Sequence, residues 1–582
     1  MTLKKSFRNN AFYEMLKFTF KKNFGFTLVA TLGALLMGPF RRVNELFERN
    51  ITLSEIREMA EHLDSKESLS GLALFLSILV GVFFIFLVLY NFSYLFKKSS
   101  SDAFHAFPLK RSELVIAKFV PTFLLSLVPL FCGFAGELIV NAVCTIPVDY
   151  SFVATTLGYI ISVVLLCGGF TLIFAVSSGT PMDSIFFMFA IGGGLPLFVV
   201  FCNTFASETL YGYSHGETGY SAMSYTSPYV FAAYNLYNLL DEARENPLGA
   251  KWYVQLICAL LGVIFVAISI FLYNRRKSEK AGEPYAFRVV PYINTLIISF
   301  ASAIILGLIF AGGVAHTLTF WIFALIGALL SAAVYGAIVS RGFKKVKKAL
   351  LTGGVSYLLV ILVYLIYVGG GFGFETRVPS QNQIESVTVS FQGESITFKE
   401  NEIDLVTALH KDFIAAKGAS EQTYNYVTIE YDLKNGSEVN RGYRIRDTYG
   451  QKTLFDIYKS QTRIDSVREI IEKASKDDTK FFSFHYYGIA DGEKENYYEK
   501  KLEEKDFTTL ANLYEKEIRS ISFEDFSDTI TDYQKEYRLI DINTGVIEEE
   551  LYYHHQSFRF YIYDAMTETI AFLENLPNVI EE

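Results

Sequence analysis

The chain has 582 residues, of which 51% are hydrophobic and only 19% are charged. Soluble domains usually carry about 25% charged residues, so this composition argues against an ordinary soluble protein and favours a membrane protein. The net charge of −9 conceals two unlike regions, because residues 1–371 carry a net charge of +8 and residues 372–582 one of −17. The sequence therefore predicts two parts of different character, joined near residue 372.

Long apolar segments recur along the first part of the chain. A helix needs about 20 such residues to cross a membrane. One run of 52 residues without charge fits two helices, broken near Gly312-Gly313. The predicted spans are Asn23–Phe40, Leu69–Phe96, Phe119–Cys144, Ser151–Met182, Ser184–Ser207, Trp252–Asn274, two within Val289–Ser340, and Ala349–Phe374. The predicted fold class is an α-helical polytopic membrane protein with about nine transmembrane helices.

The residues before the first span place their apolar side chains on one helical face. Phe12, Met15, Leu16 and Phe20 share that face, and lysines lie off it. This pattern is typical of an amphipathic helix in the membrane interface. The predicted domains are an interfacial helix at 1–22, a six-helix core at 23–274, three additional spans at 275–374 and an extracytoplasmic α+β domain at 375–582.

Basic residues cluster in alternate loops, which predicts the orientation through the positive-inside rule. With the N-terminus in the cytosol, the loops rich in lysine and arginine at 97–118, 275–288 and 341–348 all return to the cytosol. The loop at 41–68 has mixed charge and would lie outside. Nine spans then place the C-terminal domain outside a cell (plasma) membrane, which the protein crosses many times.

The C-terminal region alternates strand and helix patterns and repeats itself. The predicted order is a strand at Ile384–Phe391, a helix, a hairpin over Lys434-Asn435-Gly436 and a second helix, followed by the same order from Phe481 onward. This predicts two tandem βαββα units. Gly369-Gly370-Gly371 precedes the domain and is interpreted as a flexible exit from the last span.

Motifs for nucleotide or metal chemistry are missing from the sequence. No G-x-x-x-x-G-K-[ST] motif occurs, so the chain does not bind a nucleotide through a P-loop. None of the five cysteines forms a C-x-x-C pair, so neither a zinc site nor a disulfide framework is indicated. We predict no catalytic residues, no metal and no cofactor, and no nucleic-acid partner.

The segment between the second and third spans has an unusual pattern for a loop. Ser101 or Asp102 could cap a short helix that Pro108 ends, and Ser112 could cap the next helix. Phe104 and Phe107 would then project together and dock into the groove of a partner protein. The alternative is an ordinary basic loop whose phenylalanines dip into lipid.

This segment resembles the coupling region of ABC-2-type transporter permeases, the membrane subunits of ABC exporters. The resemblance extends over about Ser6–Asn274 and includes the amphipathic N-terminal helix and a helical excursion before the sixth span. It implies that a separate ABC ATPase subunit contacts the loop, in keeping with the missing P-loop. The implied coupling residues are Asp102, Phe104, His105, Phe107, Pro108, Leu109, Lys110 and Arg111.

The resemblance also implies the remaining partners and a substrate class. Two permeases, identical or related, would form the pathway in the lipid bilayer. The three extra spans and the outer domain resemble permeases of some Gram-positive exporters for antibiotics and peptides, so the substrate would be an antibiotic, a peptide or a lipid-like compound. The alternative function is a membrane-anchored sensor whose outer domain captures a peptide or a cell-wall ligand. On either interpretation the chain itself is not an enzyme.

Two further positions are candidates for the translocation path. Glu137 is an acid within the third span, where a charged residue is either functional or reaches the interface. Tyr211 and Tyr213 belong to a tyrosine-rich loop before the sixth span. That loop is interpreted as an aromatic belt with re-entrant helices, lying where the outer gate of an exporter would be.

Overall fold

The computed structural model describes residues 2–47, 53–58, 65–214, 223–245, 252–313, 317–391, 394–399, 402–417, 426–444, 450–475, 482–487, 497–500, 504–524, 526, 537–548, 551–562 and 565–576. The chain forms two compact units. The first comprises residues 1–204 and 217–364, and the second comprises residues 205–216 and 365–582.

Up to residue 368, the longer regular elements among the described residues are all helices. They are α1 (Thr2–Leu35), α2 (Arg41–Phe47), α3 (Leu53–Glu58), α4 (Ser65–Asn91), α5 (Lys98–His105), α6 (Arg111–Val143), α7 (Tyr150–Ser177), α8 (Pro181–Thr209), α9 (Pro228–Glu245), α10 (Trp252–Arg275), α11 (Val290–Phe310), α12 (Leu318–Ser340) and α13 (Val346–Val368). Within the described residues, nine helices are long and apolar enough to cross a membrane, namely all of these except α2, α3, α5 and α9. The protein is thus a polytopic membrane protein, and the predicted number of spans is confirmed.

The first span is longer than the sequence pattern suggested. Helix α1 runs without interruption from Thr2 through the predicted interfacial segment and ends in a π-helical turn, Leu36–Phe40, that contains Pro39. Met15 is buried, and Phe12 and Leu16 pack partly against the core of the bundle. No helix breaker separates the apolar face near the N-terminus from the span, so both belong to one helix. That face contacts neighbouring helices.

The second unit contains two four-stranded antiparallel sheets. Its elements are β1 (Ile384–Phe391), β2 (Glu394–Lys399), α14 (Ile403–Ala415), β3 (Tyr426–Leu433), β4 (Glu438–Arg444), α15 (Gln451–Tyr458), α16 (Gln461–Ser475), β5 (Phe482–Tyr487), β6 (Tyr497–Lys500), α17 (Glu504–Ser520), β7 (Tyr537–Glu548), β8 (Leu551–Ile562) and α18 (Thr567–Glu574). The strand orders are β2-β1-β3-β4 and β6-β5-β7-β8. Equivalent strands occupy equivalent places, so the predicted tandem repeat is present.

Each repeat has one strand more than predicted, and its order is ββαββα. The extra strands are β2 and β6, each an edge strand paired with the strand before it. In β2 the buried and exposed residues alternate strictly, as expected for an edge strand with one face on the core. Helix α16 was also not predicted. The short length of the edge strands explains why they gave a weak signal.

A single hydrophobic core runs through the second unit and joins residues of both repeats, from Ile384 to Leu576. Beside it, the guanidinium of Arg463 donates two hydrogen bonds of 2.9 Å to the carboxylate of Glu394. Arg463 is fully buried, so this ion pair satisfies a charge that would otherwise be costly in the interior. The turn that leads into this unit needs its glycines, because Gly370, Gly371 and Gly373 all have positive φ.

Candidate functional site

The loops that precede α5 and α6, α8, α11 and α13 come together at one end of the helix bundle, which we call the basic end. The contact between two of them is a β-bridge between Ser178 and Tyr285. Most of the lysines and arginines of the first unit that lie outside the spans belong to these loops and to the start of α1. The segment predicted to couple to an ATPase lies here.

Helix α5 begins earlier than predicted. Its first residue is Lys98 and its N-cap is Lys97, whereas a cap at Ser101 or Asp102 was expected. The helix can start early because the 3₁₀ turn Ser93–Phe96 ends directly before its N-cap. Ser101 is consequently buried inside the helix, and its backbone N–H donates to the carbonyl oxygen of Lys97.

The next helix, α6, also starts one residue before the expected cap. Lys110 is its N-cap, and the backbone N–H of Lys110 donates to Oε2 of Glu113 at 3.0 Å. Glu113 thus satisfies the start of the helix, a role that the sequence suggested for Ser112. Leu109 packs partly against the core, and Pro108 is exposed.

The two phenylalanines of the segment lie side by side, with ring centroids 6.1 Å apart, but they differ in exposure. Phe104 packs against Tyr94 with ring centroids 4.5 Å apart. The ammonium of the buried Lys118 lies 3.9 Å from the Phe104 ring and 4.2 Å from the Tyr94 ring, and it donates to the carbonyl oxygen of Asn91. Phe107 is 47% exposed. Phe104 therefore anchors α5 to the bundle, and Phe107 is the aromatic side chain that solvent or a partner can reach.

His105 ties α5 to the sixth span. Its Nε2 lies 2.7 Å from the hydroxyl of Tyr273 and its Nδ1 lies 3.2 Å from Oγ of Ser278. Tyr94 also donates to the Tyr273 hydroxyl, at 3.0 Å. Burial, and then the nearby Arg111, lower the pKa of His105. The neutral imidazole is thus favoured, with one ring nitrogen as a donor and the other as an acceptor.

Arg111 closes the end of α10 rather than facing a partner. Its Nη1 donates to the carbonyl oxygens of Tyr273 at 3.2 Å, Asn274 at 3.3 Å and Arg276 at 2.6 Å. Carbonyls at the end of a helix lack partners within the helix, and a cation also complements the negative end of the helix dipole. Arg111 therefore fastens the start of the third span to the end of the sixth.

Arg276 makes a second set of such contacts. Its Nη1 donates to the carbonyl oxygens of Val176 and Ser178, both at 2.6 Å, and its Nη2 donates to that of Leu95 at 2.7 Å. Burial lowers the pKa of this guanidinium to about 10, so it remains charged at neutral pH. Together with Arg111, Arg276 joins the ends of four spans, α4, α6, α7 and α10, beneath α5.

Sequence reasoning missed the roles of Tyr273, Arg276 and Lys118. The arginine and the lysine were recognised only as markers of orientation. A possible signal was the pair Arg275-Arg276 directly at the end of an apolar helix, since adjacent residues on a helix point in different directions and only one of the two can remain in solvent. Their partners are distant in the chain, so the pattern alone could not identify them.

The three additional spans attach to the core at the same end. The backbone N–H of Gly179 donates to the carbonyl oxygen of Pro284 at 3.1 Å. The amide of Asn294 donates to the hydroxyls of Tyr285 and Tyr335, at 2.8 and 3.1 Å, and the two hydroxyls bond to each other. These buried polar contacts bring α11, α12 and their linker into register with the turn before α8.

Glu137 lies near the end of α6 away from the basic end and does not reach water. It is 0% exposed, and Oγ of Ser68 donates to its Oε1 at 2.6 Å. Nε of Arg42 is 4.0 Å from the same oxygen and donates to Oδ1 of Asn141 at 3.4 Å. Its geometry is that of a buried ion pair, and a role of Glu137 in translocation stays a prediction.

The tyrosines proposed for the translocation path belong to the second unit, within its segment 205–216. The backbone N–H of Tyr211 donates to Oε1 of Glu375 at 2.9 Å, and its hydroxyl donates to the carbonyl oxygen of Phe413 at 2.8 Å. The ring of Tyr213 lies 6.0 Å from that of Phe374. A role of these residues in translocation stays a prediction.

Helix α9 re-enters the bundle, as expected for the excursion before the sixth span. The hydroxyl of Tyr229 bonds to Oγ1 of Thr171 at 2.8 Å, and the Tyr229 ring lies 5.3 Å from that of Phe170. Thr171 lies only ~9 Å before the end of α7 at the basic end, at a rise of about 1.5 Å per residue. The start of α9 therefore lies deep in the bundle when measured from the opposite end.

Comparison with known families agrees with this arrangement. Residues 100–278 match the family model described as ABC-2 family transporter protein. The matched range begins within α5 and ends just after Arg276, so it includes Phe104, His105, Arg111, Tyr273 and Arg276, while Tyr94 and Leu95 precede it. Over this range the resemblance to an ABC-2-type transporter permease is confirmed. No curated protein and no solved structure matches the chain.

Proposed function

We propose that this protein is the membrane-spanning permease subunit of an ATP-driven exporter, energised by a separate ATPase subunit that docks on α5. The observation that carries the proposal is that some residues of the segment 102–111 contact the bundle and others are exposed. Phe104, His105 and Arg111 anchor the segment to the third and sixth spans and to the turn after the second, while Phe107 and Pro108 are exposed at its tip. A push on this tip would be passed to the ends of the spans.

The proposed orientation of the chain in the membrane is inferred from the basic end of the bundle. A cytosolic ATPase requires α5 in the cytosol, and the positive-inside rule places the basic end there. The C-terminal domain is then extracytoplasmic. Two permeases would form the pathway, and ATP-driven closure of the ATPase pair would shift them between inward-open and outward-open states. The substrate class we propose is an antibiotic, a peptide or a lipid-like compound.

A second candidate function rests on the contacts of Tyr211. Tyr211 follows α8 in the chain and bonds to Glu375 and Phe413, so capture of a ligand by the C-terminal domain could be signalled along the chain to the fifth span. This supports a membrane-anchored sensor for a peptide or cell-wall ligand. Purification of the tagged protein from native membranes separates the two, since an exporter subunit should bring an ATPase with it and a sensor should not.

The docking proposal is tested by Phe107→Ala. Truncation of an aromatic residue at the centre of an interface costs about 2 kcal/mol or more, which corresponds to at least about thirtyfold weaker association. The matched control is Phe343→Ala, because Phe343 is 85% exposed on another loop of the basic end. Association is measured by titrating the co-purified ATPase onto the permease, together with ATP hydrolysis by the reconstituted pair.

We expect Phe107→Ala to weaken association and to lower hydrolysis, with unchanged thermal unfolding, and Phe343→Ala to change neither. Phe104→Ala should instead lower the unfolding temperature, since it removes the ring that packs on Tyr94 and Lys118. Equal association by the Phe107 variant and the native protein would show that α5 is not the docking element.

A further inference from the structure

A cavity of about 440 Å³ opens among the three additional spans at the basic end. It lies between the linker at 280–288 and the near ends of α11, α12 and α13. Its polar lining includes Lys280, Arg288, Tyr292, Ser340, Lys348 and Thr352. The family match ends at residue 278, so all of the lining residues lie beyond the matched range.

The charges that line the cavity are mainly positive. Lys280 forms an ion pair of 2.5 Å with Glu283, the acidic residue of the lining. Arg288 and Lys348 then remain as two cations without an acid to balance them among the lining residues. Both side chains are exposed, so they can turn toward a ligand.

Helix dipoles reinforce this positive potential. Helices α11 and α13 both begin at the cavity, so the positive ends of their dipoles lie beside it. The opposite end of α12 also lies here, but it is capped by Arg341, whose guanidinium donates to the carbonyl oxygen of Gly282. The arrangement favours an anion.

The position of the cavity indicates where such an anion comes from. Its walls extend along the spans from Arg288 to Thr295 on one side and to Thr352 on another, with Val339 and Ala349 as apolar lining. Tyr292 is 54% exposed at this level, where tyrosines commonly lie at the membrane boundary. The entrance of the cavity is polar and cationic, and its walls are apolar. Such a cavity suits a molecule that is charged at the membrane surface and apolar below it.

We propose that this cavity binds a phosphate group, and that an anionic phospholipid is the molecule that supplies it. Arg288 offers a forked pair of donors to phosphate oxygens, and Lys348 offers a point charge beside it. The acyl chains would follow the apolar walls between the spans. Basic pockets between transmembrane helices near the membrane surface are suited to such headgroups. The site would hold the additional spans against the lipid that surrounds them.

The test uses the full-length protein in detergent, with phosphatidylglycerol, phosphatidylcholine and inorganic phosphate as probes. Bound lipid is counted by native mass spectrometry over a titration of each lipid. The variant is Arg288→Gln with Lys348→Gln. The matched control is Lys344→Gln with Lys347→Gln, which removes the same charge from exposed residues of the same region that do not line the cavity.

We expect phosphatidylglycerol to bind the native protein at least about tenfold more tightly than phosphatidylcholine. The cavity variant should lose about tenfold in affinity for phosphatidylglycerol, and the control should keep it. Displacement of the lipid by millimolar inorganic phosphate would support the phosphate site and identify a soluble anion as its ligand. No displacement would support the lipid as the source.

Two results would overturn the proposal. One is a native protein that shows no preference for phosphatidylglycerol and does not bind phosphate, a result that needs no variant. The other is a cavity variant that unfolds at the native temperature and binds phosphatidylglycerol as tightly as the control. Should the double variant not fold, Arg288→Lys with native Lys348 keeps both charges and must retain binding.

Discussion

Arg276 donates a hydrogen bond of 2.7 Å from Nη2 to the carbonyl oxygen of Leu95, and this contact joins the end of the sixth span to the turn after the second. The same guanidinium caps the end of the fourth span through Val176 and Ser178. A single buried cation thus satisfies carbonyl oxygens from two separate segments beside α5. The anchoring of α5, and with it the position of the exposed Phe107, depends on this cation.

Arg276→Gln should destabilise the whole bundle. Three carbonyl oxygens lose their donor, and each unsatisfied buried polar group costs about 1 kcal/mol or more, so we expect a loss of at least about 3 kcal/mol. The adjacent Arg275→Gln is the control, because Arg275 is exposed and contacts only the ring of Phe271 among the interactions described here. Its loss should be below about 1 kcal/mol. Unfolding in detergent measures both, and equal losses would contradict the role of Arg276.

The sequence predicted the spans well because each is a local property of about 20 residues. Hydropathy located all nine, and the strand pattern located β1 to the residue. The contacts of Arg276 at the basic end could not be found in this way, since Arg276 and Leu95 are distant in the chain. From the sequence alone, the arginine is explained by the positive-inside rule. The different exposure of Phe104 and Phe107 likewise depends on Tyr94 and Lys118, which pack on Phe104 only in the folded bundle.

Glu137→Gln should destabilise the bundle by about 3 kcal/mol, because it removes a buried carboxylate that pairs with the buried Arg42. Arg42→Gln should cost a similar amount for the reciprocal reason. The double variant should cost less than the sum, since each single variant breaks the same pair, and the difference gives the coupling free energy. Chemical unfolding of the four proteins in detergent measures it. Strictly additive losses would show that the two side chains, 4.0 Å apart, do not interact.

His410 should make the stability of the C-terminal domain depend on pH. Its ring is fully buried, with Nδ1 2.9 Å from the hydroxyl of Tyr431. Burial, with a smaller effect of Arg441, lowers the pKa of His410 to about 3. The unfolded chain takes up a proton near pH 6.5 and the folded one does not, so stability falls as the pH drops from about 6.5 toward 3. The slope is at most about 1.4 kcal/mol per pH unit.

The measurement compares fragment 377–582 with the same fragment carrying His410→Gln, whose amide does not titrate and can bond to Tyr431. The fragment should unfold cooperatively, because one hydrophobic core joins both repeats. The other histidines, His485, His554 and His555, are common to both proteins and cancel in the difference. A difference in unfolding free energy that stays constant from pH 7 to pH 4 would mean that His410 is not neutral in the fold.

The orientation of the chain can be tested with single cysteines in a protein whose five native cysteines are replaced. Lys277 and Lys344 are exposed at the basic end, and Tyr150 and Ser437 are exposed elsewhere. If the basic end faces the cytosol, an impermeant maleimide added to sealed cells should label Tyr150→Cys and Ser437→Cys only. After the cells are permeabilised all four variants should react, which controls for accessibility. The physical reason is the charge of the loops, since lysines and arginines near the ends of spans are retained on the cytosolic side. Labelling of Lys344→Cys in sealed cells would reverse the orientation and would remove α5 from the reach of a cytosolic ATPase.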